Sequence, residues 1–283
     1  LRWLAKKKLL QPNKTQFTHP DGTTMCYSKP HIFEADLHDE VLRAKVPALS
    51  ELFTSTSPQP SPLPLPPALV EAFQCLLGGE TTLCTGSKGM TVKLQMNEGE
   101  GGCFPYHYDN PGPPNRRRLT CLLYLNPDWE EGHGGEMILH PFLQSPVTVA
   151  PLMNRLVVFA SDRILHRVAP CHHERYAITF WIDSMGTNQE EDLTLRVGKG
   201  ELSDWLGWCE RLRYSPCQRI LSRGIYQEEY NDSLQQCMAG AAGSCQEMIA
   251  AHQEQISKLQ KNAPLYALVK RLRDTKELNE SMP

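Results

Sequence analysis

Short β-rich runs between residues 91 and 183 constrain the fold of this 283-residue chain more than any other feature. Each run holds a few aliphatic, aromatic or β-branched residues, and turn-forming Gly, Pro, Asn and Asp separate it from the next run. The runs cover residues 91–96, 119–125, 136–140, 147–150, 156–159 and 176–182. Short strands at this spacing are typical of an antiparallel sandwich or barrel, so we predict a mainly β, jelly-roll core.

Helical patterns flank this core. On the N-terminal side we predict a short amphipathic helix in the first dozen residues, a strand at 32–35, a helix interrupted at Pro47, a proline-rich connector at 54–67 and a helix at 68–77. After residue 183 apolar residues recur at helix-face intervals, which predicts a helical C-terminal extension packed on the core, with a dimer or partner interface as the alternative. We therefore divide the chain into a supporting region (1–90), a catalytic core (91–183) and the extension (184–283).

Charge and hydropathy exclude some partners. The formal net charge is -3, whereas proteins that bind nucleic acid or anionic membranes usually present a basic surface. No apolar run reaches the roughly 18 residues that a spanning helix needs. We expect no nucleic-acid partner, no membrane partner, and a cytoplasmic or nuclear rather than secretory location; a leader preceding Leu1 stays an open alternative.

The ten cysteines suggest two different roles. The six from Cys26 to Cys171 are scattered singly, without the two-residue spacing of a zinc knuckle, and we interpret them as reduced core residues. The last four form two equally spaced pairs, Cys209 with Cys217 and Cys237 with Cys245. Two antiparallel helices could join them as disulfides, although we favour buried free thiols.

The strongest chemical signal is His107 and Asp109, followed downstream by His166. Two neutral imidazoles and one carboxylate hold ferrous iron on one face and leave the other coordination positions open. On an extended segment, alternate residues point the same way, so His107 and Asp109 could act together. Each residue alone is more often structural, but the ordered combination points to a metal site.

An anion-binding group accompanies this signal. Arg175 opens an apolar strand, where a buried charge is costly unless an anion pairs with it. Tyr124 could add a hydroxyl to the same carboxylate, and Thr179 shares strand parity with Arg175. These three could bind a dicarboxylic cosubstrate. The alternatives are that Arg175 is an exposed arginine at a strand start and that Tyr124 is a core residue capping a backbone carbonyl. The candidate substrate contacts are Arg167, Trp181 and the basic run 116–118, although such a run is more often a solvated rim.

The region from about residue 91 to 183 resembles the prolyl 4-hydroxylase branch of the iron(II)/2-oxoglutarate-dependent dioxygenases, in particular the hypoxia-inducible-factor prolyl hydroxylases. The resemblance depends on several short motifs: residues 107–111 (HYDNP), 119–126 (LTCLLYLN), Trp129 with Gly134-Gly135, Arg155-Leu156, 161–163 (SDR), His166 and 175–179 (RYAIT). Two positions differ from those relatives, since Asn97 stands where they carry a tyrosine beside the cosubstrate, and Asn154 where they carry an aspartate.

The resemblance implies a double-stranded β-helix with iron(II) held by His107, Asp109 and His166, and 2-oxoglutarate held by Arg175, Tyr124 and Thr179. It also implies O2 as the oxidant, allows ascorbate as a further reductant, and suggests prolyl residues of a protein or peptide as the substrate. The alternatives are an oxygenase acting on a small molecule and a catalytically silent barrel that binds partners.

Overall fold

The computed structural model describes most of the chain. The described residues are 9–18, 24–45, 67–77, 83–84, 89–185, 191–198, 203–238 and 244–281. The expected amphipathic helix falls largely, and the proline-rich connector almost wholly, outside these ranges. So does Pro47.

A six-stranded antiparallel sheet is the first layer of the core. Its strands, in spatial order, are β1 (Gln11–Thr18), β2 (Thr24–Asp36), β3 (Met90–Asn97), β10 (Arg175–Asp183), β5 (Arg117–Tyr124) and β8 (Leu156–Ala160). One face packs on helices α1 (Glu40–Lys45) and α2 (Pro67–Leu76), where Val92, Leu94, Ile178 and Phe180 lie in one apolar cluster with Leu42 and Phe73. The residues that alternate with these along each strand therefore point to the other face of the sheet, away from the helices.

A four-stranded antiparallel sheet forms the second layer. It runs β4 (Phe104–His107), β9 (Leu165–Val168), β6 (Met137–His140) and β7 (Val147–Val149). Phe104, Met137 and Val168 of this sheet share a buried cluster with Leu122 and Tyr124 of the large sheet, so the inner faces meet. Two facing antiparallel sheets with flanking helices confirm the predicted mainly β, jelly-roll architecture.

The C-terminal extension packs on the small sheet. It consists of α3 (Trp205–Arg213), α4 (Cys217–Ile225), α5 (Gln227–Met238), α6 (Ser244–Lys261) and α7 (Ala263–Ser281). Apolar residues of α3, α4 and α7 share one cluster with Tyr106, Phe142 and Leu165 of the core, which confirms the predicted docking. None of the helices in the described ranges is both long and apolar enough to cross a bilayer.

The cysteine prediction was partly wrong. A disulfide joins Cys103, the residue just before β4, to Cys237 in helix α5. The favoured prediction of buried free thiols is confirmed for Cys209 and Cys217 and wrong for Cys237. Neither alternative disulfide forms. Cys26, expected in the core, is exposed.

The N-terminal region also differs from expectation. The predicted strand at 32–35 is the end of a 13-residue strand, β2. Strand β1, which pairs with β2, was not predicted, since its sequence QPNKTQFT lacks the apolar alternation that marks a half-buried strand. Strands β4 and β9 were also missed as strands.

Candidate metal centre and cosubstrate cleft

Sheet pairing brings three metal-binding side chains together. His107 on β4 lies opposite His166 on β9 in the antiparallel register. Asp109 follows β4 at once, and one donor atom from each of the three residues lies within 4.8 Å of the others. The Nε2 atoms of His107 and His166 lie 3.5 and 3.7 Å from the two Asp109 carboxylate oxygens. Because β4 ends at His107, strand alternation does not account for the position of Asp109 as expected.

Backbone carbonyls orient both imidazoles. His107 Nδ1 lies 2.8 Å from the Pro105 carbonyl oxygen, and His166 Nδ1 lies 3.0 Å from that of Ile164. An Nδ1–H that donates to a carbonyl leaves the Nε2 lone pair facing the centre. Burial and the neighbouring His107 lower the pKa of His166 to about 4, so this imidazole is neutral at neutral pH and available to a metal.

A hydroxyl on β5 fixes the carboxylate. Thr120 Oγ1 donates to Asp109 Oδ2 at 2.7 Å and lies 2.8 Å from Ser161 Oγ. Burial alone would raise the pKa of Asp109, but His166, His107 and the Thr120 hydroxyl together hold it well below its usual range. Sequence reasoning missed this role of Thr120, although its strand parity with Tyr124 places both on the inner face.

We expect Thr120→Val to lower iron(II) affinity by roughly 10- to 100-fold, because it removes the group that orients a metal-binding carboxylate while preserving side-chain shape. Equilibrium metal titration of the purified variant measures this, with Thr148→Val, an exposed position on β7, as the control. Equal affinity of Thr120→Val and the wild type would show that Asp109 needs no such support.

Arg175 reaches the same cleft from β10. The cleft, of about 290 Å³, is lined by His107, Asp109, His166, Arg175 and Thr179 among others. Arg175 is 3% exposed, and within the described residues its Nε and Nη2 atoms have no hydrogen-bond partner. A buried guanidinium with unpaired donors costs free energy unless a ligand accepts hydrogen bonds from those donors. The cleft is therefore suited to binding an anion.

Tyr124 lies beside Arg175. Its ring centroid is 5.0 Å from the guanidinium carbon, and its fully buried hydroxyl also lacks a hydrogen-bond partner among the described residues. Burial raises the pKa of this hydroxyl, although the charge of Arg175 opposes the shift. The phenol is therefore protonated at neutral pH and can donate a hydrogen bond to a carboxylate. Thr179, by contrast, already donates to Gln95 at 3.2 Å.

The candidate substrate contacts separate into two groups. Arg117 and Trp181 line the cleft and stack on each other, with the guanidinium carbon 4.4 Å from the ring centroid. Arg116, Arg118 and Arg167 are not among the residues that line the cleft, and each makes structural contacts. Arg116 donates to the Ser184 carbonyl, Arg118 binds Asp162, and Arg167 is buried against Gln236 and Tyr106 under the extension.

Gly135 sets the position of Arg175. It has a φ of +76°, and a Cβ there would lie 2.7 Å from both Arg175 Cδ and Cys171 Sγ. We expect Gly135→Ala to destabilise the protein by about 2–4 kcal/mol, from left-handed strain plus overpacking, and to weaken anion binding by displacing Arg175. Denaturant unfolding measures the first effect. Gly132→Ala, whose φ is +92° but whose Cβ would have open space, separates strain from the clash.

Asn97 has a structural use instead of a position beside the cosubstrate. Its Nδ2 donates to the Gly102 carbonyl at 2.6 Å and its Oδ1 accepts from Gly99 N at 3.0 Å. Both ends of the amide therefore hold the loop between β3 and β4.

The residues present fit the two groups that the resemblance implies. Two neutral imidazoles and a carboxylate on one side of a cleft are a donor set suited to iron(II). The unpaired polar atoms of Arg175, Tyr124 and Trp181 are all donors, as the carboxylate of 2-oxoglutarate requires.

Comparisons with known proteins agree with this geometry. The 2OG-Fe(II) oxygenase superfamily profile matches residues 92–183. Mouse prolyl hydroxylase EGLN3 is 41% identical over 86 residues, which are 29% of this chain and 36% of that protein. The Caenorhabditis elegans hypoxia-inducible factor prolyl hydroxylase is 35% identical over 109 residues, 38% of this chain and 14% of that protein. These alignments thus cover little more than a third of the curated relatives at most.

A solved structure gives a far more extensive match. A prolyl 4-hydroxylase from Phytophthora capsici is 45% identical, with a TM-score of 0.78, and the match covers 98% of this chain and 82% of that one. The likeness therefore includes the C-terminal extension, which the sequence alone did not connect to any family. This chain belongs to the prolyl 4-hydroxylase family of the 2OG-Fe(II) oxygenases.

Proposed function

We propose that this protein is an iron(II)- and 2-oxoglutarate-dependent dioxygenase that hydroxylates prolyl residues of a protein or peptide. The observation that carries the proposal is the convergence of His107, Asp109 and His166 in one cleft with the buried, unpaired donors of Arg175. Family membership gives the reaction class, and the hydroxylase relatives give prolyl groups as the acceptor.

The roles of the residues follow from their positions. His107, Asp109 and His166 would hold iron(II), with Thr120 and two backbone carbonyls keeping the donors aligned. Arg175 and Tyr124 would bind the distal carboxylate of 2-oxoglutarate, and Thr179 lines the same wall. Iron(II), 2-oxoglutarate and O2 together supply the oxidation: one oxygen atom enters succinate, CO2 leaves, and the other oxygen converts a substrate C–H into C–OH.

A second cleft supports a polymeric substrate. It has a volume of about 760 Å³ and lies between the core and the extension, and it shares His107 and Tyr108 with the cosubstrate cleft. Its walls include Leu193 and Ile220, which are 49% and 52% exposed. Exposed apolar side chains beside a catalytic centre suit a peptide segment better than a small polar metabolite.

The test uses a library of proline-containing peptides or lysate proteins, iron(II), 2-oxoglutarate, ascorbate and ¹⁸O2. We expect mass spectrometry to find one labelled oxygen on prolyl residues, dependent on iron and on 2-oxoglutarate, and we expect peptides to stimulate succinate formation. Stimulation by a small molecule but by no peptide would contradict the proposal in favour of a small-molecule oxygenase. Absence of iron-dependent turnover with every substrate would favour a silent binding module.

We further propose a cytoplasmic or nuclear location. Three Asn-x-Ser/Thr sequons begin at Asn13, Asn231 and Asn279. Two of these asparagines are engaged in the fold: Asn13 is buried against Glu34, and the Asn279 amide donates to the Leu143 carbonyl. Glycans on Asn13 or Asn279 would disrupt those contacts. Imaging of the tagged protein is expected to show cytoplasm or nucleus, whereas a secretory location with an intact Cys103–Cys237 bond would contradict this.

A further inference from the structure

Four cations besides Arg175 line the cosubstrate cleft. Lys93 is paired with Glu34, Arg117 stacks on Trp181 and Lys14 is exposed, which leaves Lys29.

Lys29 on β2 lines the cleft, and its ammonium lies 4.2 Å from the centroid of the Phe104 ring. Burial lowers the pKa of Lys29 to about 8, while Glu34 and Asp109 partly oppose that shift. Lys29 is half-buried, and an ammonium held against an aromatic ring inside a cleft is placed to pair with an anionic ligand.

The acidic neighbours of Lys29 are already engaged. Glu34 accepts hydrogen bonds from both Asn13 and Lys93. Asp109 accepts from Thr120 and faces the two imidazoles. In the part of the chain that the structure describes, Lys29 itself forms no hydrogen bond or ion pair, so its three donors remain available to a ligand.

Lys29 and Arg175 have different neighbours in the cleft. The Phe104 ring that Lys29 contacts lies 6.3 Å, centroid to centroid, from the His107 imidazole. The neighbours of Arg175 are Tyr124, Gly135 and Cys171. The charged groups that act on Lys29 are instead Glu34, Lys93 and the metal-site carboxylate of Asp109. A cleft with one cation close to the metal site and another, Arg175, in different surroundings is matched to a ligand that carries a carboxylate at each end.

We propose that the Lys29 ammonium binds the carboxylate of 2-oxoglutarate that lies beside the metal, as the counterpart of Arg175 at the distal carboxylate. This inference rests on the proposed function. It assigns to the N-terminal strands a direct part in cosubstrate recognition, since Lys29 comes from β2, outside the segment 92–183 that the family profile matches.

The test is anaerobic calorimetric titration of the iron(II)-loaded full chain with two probes. These are 2-oxoglutarate and oxalate, which has the chelating end of the cosubstrate but no distal carboxylate. Lys29→Met is expected to weaken both probes by roughly tenfold or more, the effect of losing a charged hydrogen-bond donor. Lys29→Arg should stay within roughly threefold of the wild type, because it keeps the charge. Arg175→Met should weaken 2-oxoglutarate and leave oxalate unchanged.

Controls make the outcomes separable. Lys14→Met removes an exposed lysine that also lines this cleft, so an equal loss in that variant would indicate general charge attraction and overturn the proposal. Unchanged oxalate binding by a Lys29→Met protein with the wild-type unfolding midpoint would overturn it as well. If the affinity for 2-oxoglutarate falls in Arg175→Met but not in Lys29→Met, only this inference fails. If the wild type binds neither probe, the proposed function fails.

Discussion

Replacing His166 by alanine is expected to abolish iron-dependent conversion of 2-oxoglutarate to succinate, with a loss greater than about 100-fold. His166 is 3% exposed, and its Nδ1 contact with the Ile164 carbonyl oxygen directs Nε2 at the centre. Without this imidazole, only His107 and Asp109 remain, too few to hold iron(II) in a fixed geometry. Succinate formation and bound iron per chain are the two measurements.

His172→Ala is the matched control for this variant. His172 is exposed and lies outside the donor triad, so its loss should leave both measurements within about twofold of the wild type if only the triad matters. Equal succinate output and equal iron content in His166→Ala and the wild type would show that His166 does not bind the metal. That result would also contradict the proposed reaction.

Replacing Arg175 by methionine is expected to weaken 2-oxoglutarate binding by roughly 100-fold or more, because a bidentate charge-assisted contact is lost. Stability should respond in the opposite direction. The wild type buries a guanidinium with two unpaired nitrogens, and exchanging it for an apolar side chain of similar length should keep or raise the unfolding midpoint without ligand. The variant should also lose the stabilisation, about 2.7 kcal/mol at 100 times Kd, that 2-oxoglutarate gives the wild type.

Calorimetry and thermal unfolding with and without 2-oxoglutarate measure both effects. Arg196→Met, at a side chain that is 72% exposed, is the control and should match the wild type in both. A large fall in the ligand-free midpoint of Arg175→Met, with unchanged affinity for 2-oxoglutarate, would mean that Arg175 is a structural residue.

The chemistry of the candidate site was readable from the sequence because it depends on residue types and their order. Two histidines, one aspartate and an arginine at the start of an apolar strand are a distinctive set, and the structure brings all four into one cleft. The strand pairing that brings these residues together was harder to predict. The pairing of His107 with His166 depends on which distant strands become neighbours, and a sequence pattern does not determine that.

A local irregularity determines which residue of the basic run lies beside Trp181. On β5, Thr120, Leu122 and Tyr124 share the inner face, and continued alternation would place Arg118 there as well. The register with β10 shifts between Ile182 and Asp183, so Arg117 stacks on Trp181 instead. A bulge exchanges the two faces of the sheet for every residue beyond it on that strand. No feature of residues 116–118 predicts this bulge.

Long-range partners account for the other misses. Cys103 and Cys237 are separated by 134 residues, so the local spacing of cysteines carried no information about their pairing. Strand β1 and Lys29 are similar cases. The sequence of β1 is polar, and no local pattern marks Lys29 as a cleft residue. Only the addition of β1 and β2 to the edge of the large sheet beside β3 brings this region to the cleft.

The most direct test of the account is a crystal structure of the protein with Mn(II), as a redox-silent substitute for iron(II), and 2-oxoglutarate. We predict one metal ion about 2.0–2.3 Å from His107 Nε2, an Asp109 carboxylate oxygen and His166 Nε2, with the distal carboxylate on Arg175. A metal ion bound by other residues, or a 2-oxoglutarate molecule that does not touch Arg175, would contradict the central claim.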